Sequence, residues 1–267
     1  MKFFWVISAA KLKNVSILSF AILFGTGVFI AERDSINTLV TMSSGQGAIY
    51  SVKTDKKQIS LTFDISWGER QLKPIMDVLK ENDVKDATFF LSGPWSDKHR
   101  EEVKNIQSMG YEIGSHSHRH DNHSQYDENM MKEQIGKAHT ILKDITGKDP
   151  TLIRLPNGDF DKRVLKVAGE LNYKVIQWDT DSLDWKRPGV QKIIDRVLKK
   201  VHPGDIVLFH ASDSAEETAE ALKTILPKLR DEGYQLVNVS QLIAGTDIDL
   251  TPVKEKDSNK QNQNANN

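Results

Sequence analysis

From Lys57 to about Ala244, short β-rich runs alternate with runs of helical period, and this alternation restricts the fold more than any other feature. Residues 59–63 (ISLTF) open the series as a strand. Residues 70–80 follow as a helix, with Leu72, Ile75, Met76 and Leu79 on one face and Pro74 near its start, where a missing N–H is tolerated. Residues 87–91 form a second strand. The next helix is capped by Ser96 and stops at Met109 and Gly110. A short strand at 111–114 precedes a long amphipathic helix at 128–146, stopped at Gly147. Strands at 151–154, 173–178, 206–209 and 235–239 alternate with helices at 162–171, 190–201 and 216–232, and a short helix closes the series. About seven βα units argue for an α/β chain with a parallel sheet closed into a barrel. An open doubly wound sheet is the alternative. No glycine-rich phosphate loop follows any strand, which weighs against a nucleotide-binding version of that alternative.

The two ends differ from this body. Val15 to Ala31 is apolar and uncharged, with Lys11 and Lys13 before it and Glu32, Arg33 and Asp34 after it. That length meets the short end of what a bilayer core needs, and Lys2, Lys11 and Lys13 favour a cytoplasmic N-terminus. Residues 1–33 therefore read as a cytoplasmic stub and an N-terminal transmembrane anchor; a cleaved signal peptide is the alternative. Either way the body, residues 56–245, lies outside the cytoplasm. Residues 34–55 read as a linker, and 246–267 as a disordered polar tail.

The 267 residues carry a net charge of −1, which gives no field for nucleic acid. The absence of cysteine excludes disulfides, thiolate metal sites and cysteine nucleophiles, so any metal must use His, Asp, Glu or water.

Polar residues fall where the strands end. Asp64 follows ISLTF, His116 follows YEIGS, Arg154 ends TLIR, Asp181 follows VIQWDT, and His210 follows IVLF. In a β/α barrel the carboxyl-terminal rim carries the chemistry, and five such residues on one rim are hard to attribute to packing. His116 and His120, four apart in HSHRHDNH, can converge on one cation, or the tract can be a solvated turn. Asp64 is the natural third ligand, and equally a general base near bound water. Arg154 carries a bidentate fork suited to a carboxylate. His210 shares the rim with carboxylates, which favours a general acid. Asp184 reads as a turn cap before Pro188, and Trp185 as packed, or as the wall of a sugar pocket.

These residues sit in motifs, and the region from about Ile59 to Ile243 resembles the polysaccharide deacetylases with a NodB-homology domain, carbohydrate esterase family 4. His116-Ser117-His118-Arg119-His120 is similar to the family's H-[ST]-x-x-H. Arg154-Leu155-Pro156-Asn157-Gly158 is similar to R-x-P-x-G, with Asn157 where an aromatic is common. Asp181 to Trp185 resembles D-x-x-x-W, and Leu208-Phe209-His210 resembles L-x-H.

The resemblance implies a distorted (β/α)7 barrel that removes N-acetyl groups from chitin-like or peptidoglycan sugars, usually with a divalent metal such as Zn or Co. It implies Asp64 as base, Arg154 orienting it, His210 as acid tuned by Asp181, and His116 and His120 on the metal. Trp185, Leu208 and Pro156 would line the substrate pocket. The first motif departs from the family's T-F-D-D-G: Thr62-Phe63-Asp64-Ile65-Ser66 places Ile65 where a metal-ligand aspartate is implied. Metal is therefore expected to be weakly bound or absent, and a glycan-binding pseudoenzyme stands as the alternative to a hydrolase. A two-carboxylate glycosidase using Asp64 and Asp181 leaves His116, His120 and His210 without a role. The TFDISWG run, the anchor and the chain length resemble a branch linked to sporulation and spore cortex peptidoglycan.

Overall fold

The computed structural model of the chain describes residues 47–244. The expected anchor over 1–33, the tail over 246–267 and most of the linker lie outside them. Among the described residues no helix is long and apolar enough to cross a membrane.

The elements run β1 (Gln58–Ile65), α1 (Leu72–Glu81), β2 (Thr88–Leu91), α2 (Gly93–Lys98), α3 (Arg100–Ser108), β3 (Glu112–Ser115), α4 (Glu128–Thr146), β4 (Leu152–Ile153), α5 (Lys162–Glu170), β5 (Lys174–Val175), β6 (Thr180–Asp181), α6 (Val190–Lys200), β7 (Ile206–His210), α7 (Thr218–Asp231), β8 (Gln235–Leu236) and α8 (Val239–Ile243). The expected α/β alternation holds, with two corrections. The two-residue strand β6 is too short to carry a period. The helix expected from Ser96 is two helices broken at His99, and Ser96 lies inside the first of them, its Oγ donating to the Ser92 carbonyl at 2.8 Å.

Every strand pairing is parallel, in the order β5-β4-β3-β2-β1-β7-β6, with β8 added beside the start of β1. This is a half-barrel: among the described residues no ladder joins β5 to β6. Residues 49–52, expected as linker, stand at that gap instead. Ile49 bridges to Ile176 and Ser51 to Asp205. Ile49 N donates to Val175 O at 2.9 Å, and Val52 N donates to Gly204 O at 2.8 Å. Gly204 has φ +84°, and a Cβ there would lie 1.9 Å from the Val52 carbonyl oxygen, so only glycine lets the two backbones meet. Ala48, Ile49 and Val52 are buried. The linker therefore ends earlier than expected, because its apolar side chains and backbone hydrogen bonds belong to the body.

Strand β1 organises the core through its two-residue period. Ile59, Leu61, Phe63 and Ile65 join one cluster with residues of α1, α3, α6 and α7, and Phe63 stacks on Phe89 and Phe209 with centroids 4.9 and 5.7 Å apart. Burying each such side chain contributes roughly 1.5–3 kcal/mol. The alternate positions, Ser60, Thr62 and Asp64, are buried and polar. One strand thus builds the core with one face and opens the site with the other.

Candidate active site

Asp64 is buried on β1, and its Cα pairs with that of His210 on β7, so the two side chains share one face of the sheet. Arg154, fully buried just past β4, donates from one terminal nitrogen to Asp64 Oδ1 and to Thr62 Oγ1, both at 2.8 Å. Its other terminal nitrogen donates to Gln177 O at 2.9 Å, and its guanidinium lies over the Phe90 ring, 4.4 Å from the centroid. The cation is therefore fixed from several sides and Asp64 has a preset partner. Burial pushes the Asp64 carboxyl upward, but Arg154, then His116 and His210, outweigh it and hold the group below its ordinary range.

His210 ends β7. Its Nδ1 lies 2.8 Å from Asp184 Oδ1, and its backbone N donates to Asp184 Oδ2 at 2.8 Å. Thr218 Oγ1 and Trp185 N also donate to the Asp184 carboxylate, at 2.6 and 2.8 Å. Burial works against the His210 charge, and the Asp184 carboxylate outweighs it, so the pKa lies above the ordinary imidazole value. This corrects the expected pairing. Asp184, not Asp181, holds His210, because the 3₁₀ turn Asp184–Lys186 folds the fourth residue of DSLD back under β7. Asp181 instead accepts the Leu183 N–H at 2.8 Å, closing the turn, and ranks last among the carboxylates acting on His210.

His116 is buried at the end of β3. Its Nδ1 faces the Arg154 carbonyl at 2.8 Å. A carbonyl only accepts, so Nδ1 carries the hydrogen and the Nε2 lone pair is free, 4.0 Å from Asp64 Oδ2. Burial pushes this imidazole down to about 4, which keeps it neutral. A second-sphere carbonyl and a neutral ring suit a metal ligand. His120 is exposed, and its ring centroid lies 5.5 Å from that of His116. The third position fails the test: Ile65 is fully buried in the core cluster. Among the described residues no three His, Asp or Glu side chains converge as a metal set. The residues present do not fit a resident cation.

The remaining expected residues divide. Leu208 is buried two positions before His210 on the same face of β7, and Pro156 is buried in the turn Pro156–Gly158. Trp185, expected as packed or as the wall of a sugar pocket, is 46% exposed, with Lys186 Nζ 4.9 Å from its ring centroid. The chain thus brings a buried carboxylate with its cation and an imidazole with its anion onto adjacent strands. That arrangement suits hydrolysis by proton transfer at both ends of a scissile bond.

Comparison with known proteins gives this geometry a context. A family model described as polysaccharide deacetylase matches residues 51–176. The chain is 33% identical over 195 residues to a peptidoglycan-N-acetylglucosamine deacetylase of Bacillus cereus, covering 72% of this chain and 70% of that protein. It is 32% identical over 198 residues to the uncharacterized protein YlxY of Bacillus subtilis, covering 74% of this chain and 61% of that one, so it spans less than two thirds of that relative. Among solved structures, a pseudoenzyme of carbohydrate esterase family 4 from Bacillus anthracis superposes with a TM-score of 0.70 at 34% identity, covering 74% of this chain and 69% of that one. A mutant of that protein with restored enzymatic activity superposes equally well, at 36% identity. The fold, the rim and these matches lead to one conclusion: the chain belongs to the polysaccharide deacetylase family, hydrolases of carbon–nitrogen bonds outside peptides.

Proposed function

We propose that the chain removes N-acetyl groups from amino sugars of a peptidoglycan-type glycan. The observation that carries this reading is the pairing of Asp64–Arg154 and His210–Asp184 on adjacent strands. Asp64, charged at neutral pH, takes a proton from water as its oxygen attacks the acetyl carbonyl carbon. His210, protonated through Asp184, gives a proton to the sugar nitrogen as the C–N bond breaks. Acetate and a free amine leave. Such positioned proton transfers contribute about 10²- to 10⁴-fold each. No step is routed through a metal, since the donor set stops at His116 and His120. The family relatives support a glycan substrate. Mass spectrometry of N-acetylated peptidoglycan fragments incubated with the full chain tests the reading: each turnover exposes one amine. Fragments of unchanged mass sink it.

Ile65 favours a second reading, a glycan-binding pseudoenzyme that keeps the cleft. Stoichiometric, tightly held zinc in the purified chain would count heavily against it. We also place the body outside the cytoplasm, tethered by the apolar run 15–31, where such a glycan lies; a body protected from added protease on protoplasts contradicts this. Spore cortex as the glycan is supported by the resemblance of TFDISWG, and normal cortex in a deletion strain would remove it.

A further inference from the structure

Three large hydrophobic side chains stand exposed among the described residues: Tyr50, Trp67 and Trp185. Two of them follow the strands on either side of β7. In the sheet order β1-β7-β6, His210 ends the middle strand. Trp67 lies two residues past the end of β1, and Trp185 lies in the turn after β6. Trp67 is 54% exposed, and among the described residues no ring, cation or hydrogen-bond partner meets its indole.

An exposed tryptophan on a loose loop would carry little meaning, but this loop is fixed. Ser66 N donates to Ser212 Oγ at 3.1 Å, and Trp95 Nε1 donates to Gly68 O at 2.7 Å. The Asp213 carboxylate accepts from Glu69 N, Arg70 N and Arg70 Nε at 3.1, 2.8 and 3.0 Å. Gly68 has φ +90°, and a Cβ there would fall 2.4 Å from Asp213 Cγ, so the loop closes on Asp213 only with glycine. Helix α2 and the segment after β7 therefore hold the backbone on either side of Trp67, three residues from Asp64. Ordering a segment so that its one large apolar ring faces water costs free energy, and a ligand with an apolar ring face offsets that cost.

We propose that Trp67 is a stacking platform for a pyranose ring of the glycan adjoining the sugar that is deacetylated. This rests on the glycan reading above and adds a second ring contact to it. A pyranose presents C–H groups on its face and hydroxyls on its edge, which suits one indole on a fixed loop better than a broad apolar surface would.

Calorimetric titration of the full chain with N-acetylglucosamine and with its β-1,4 tetramer tests the inference. The wild-type chain should bind the tetramer more tightly than the monomer. Trp67→Ala should raise the tetramer Kd on the order of tenfold, the size of one lost aromatic contact, and leave the monomer Kd unchanged. Trp67→Phe should retain most of the tetramer affinity, which separates lost stacking from a disturbed loop. Tetramer binding by Trp67→Ala equal to wild type overturns this inference alone. A wild-type chain that binds neither sugar overturns the glycan reading and this inference together.

Discussion

His210 and His116 both stand at carboxyl ends of sheet strands, yet their surroundings differ. His210 has a dedicated carboxylate, itself held by Thr218 and two backbone N–H groups. His116 has a carbonyl behind it and a free nitrogen in front, and the position that should complete its set holds Ile65 in the core. Buried polar groups are costly unless satisfied. The chain satisfies those of the acid–base half and leaves the cation half without its third donor. Proton-transfer machinery and metal affinity are therefore separable here, and variants can address each half alone.

Arg154→Leu should have the largest effect on the acid–base half. It leaves Asp64 buried without its cation, and breaking such a pair costs about 3–5 kcal/mol. Urea unfolding measures it, and a loss below 1 kcal/mol would mean that Asp64 is solvated.

Ile65→Asp addresses the other half. A carboxylate among Phe63, Leu91 and their neighbours should cost roughly 2–4 kcal/mol without metal, and added Zn²⁺ should restore part of it by binding the folded state beside His116 and His120. Unfolding with and without Zn²⁺ reads both effects. No recovery with zinc would mean that a side chain at position 65 cannot turn from the core toward His116 and His120.

Asp184→Asn against Asp181→Asn sharpens the reassigned partner of His210. The first should cut deacetylation about a hundredfold, the second no more than about threefold, since only Asp184 fixes the acid. The reverse order would restore Asp181 to that role.

The smallest effect is in the pH profile. The proposed reaction needs Asp64 charged and His210 protonated. Asp64 is held below its ordinary range, so the acid limb should lie below the usual carboxylate pKa. His210 is held above its ordinary value, so activity should persist above pH 6.5 before it falls. In Asp184→Asn burial acts on His210 without its main counterweight, and the alkaline limb should move to lower pH. An unmoved limb would assign it to another group.

Much of this was legible in the sequence. Helix α4 reads plainly because its stripe ends at Gly147, which takes φ +70° as the stop signal requires. Asp64, His116, Arg154 and His210 read as rim residues because each follows a strand. Asp184 did not, because DSLDW offers two carboxylates and the choice depends on a turn in which Leu183 takes φ +57° and on Thr218, 34 residues further on. Residues 49–52 carry no strand period; their place comes from backbone hydrogen bonds to distant segments. Strand β6 was hidden for the same reason.

In the proposed function Asp64 and His210 form a working acid–base pair on an N-acetylated glycan. The most direct test is acetate release from the N-acetylglucosamine tetramer by the dialysed full chain, with and without added Zn²⁺, beside Asp64→Ala and His210→Ala. Release by the wild-type chain that both variants lose is the predicted result. No acetate from any of them, or equal release from all three, would contradict it.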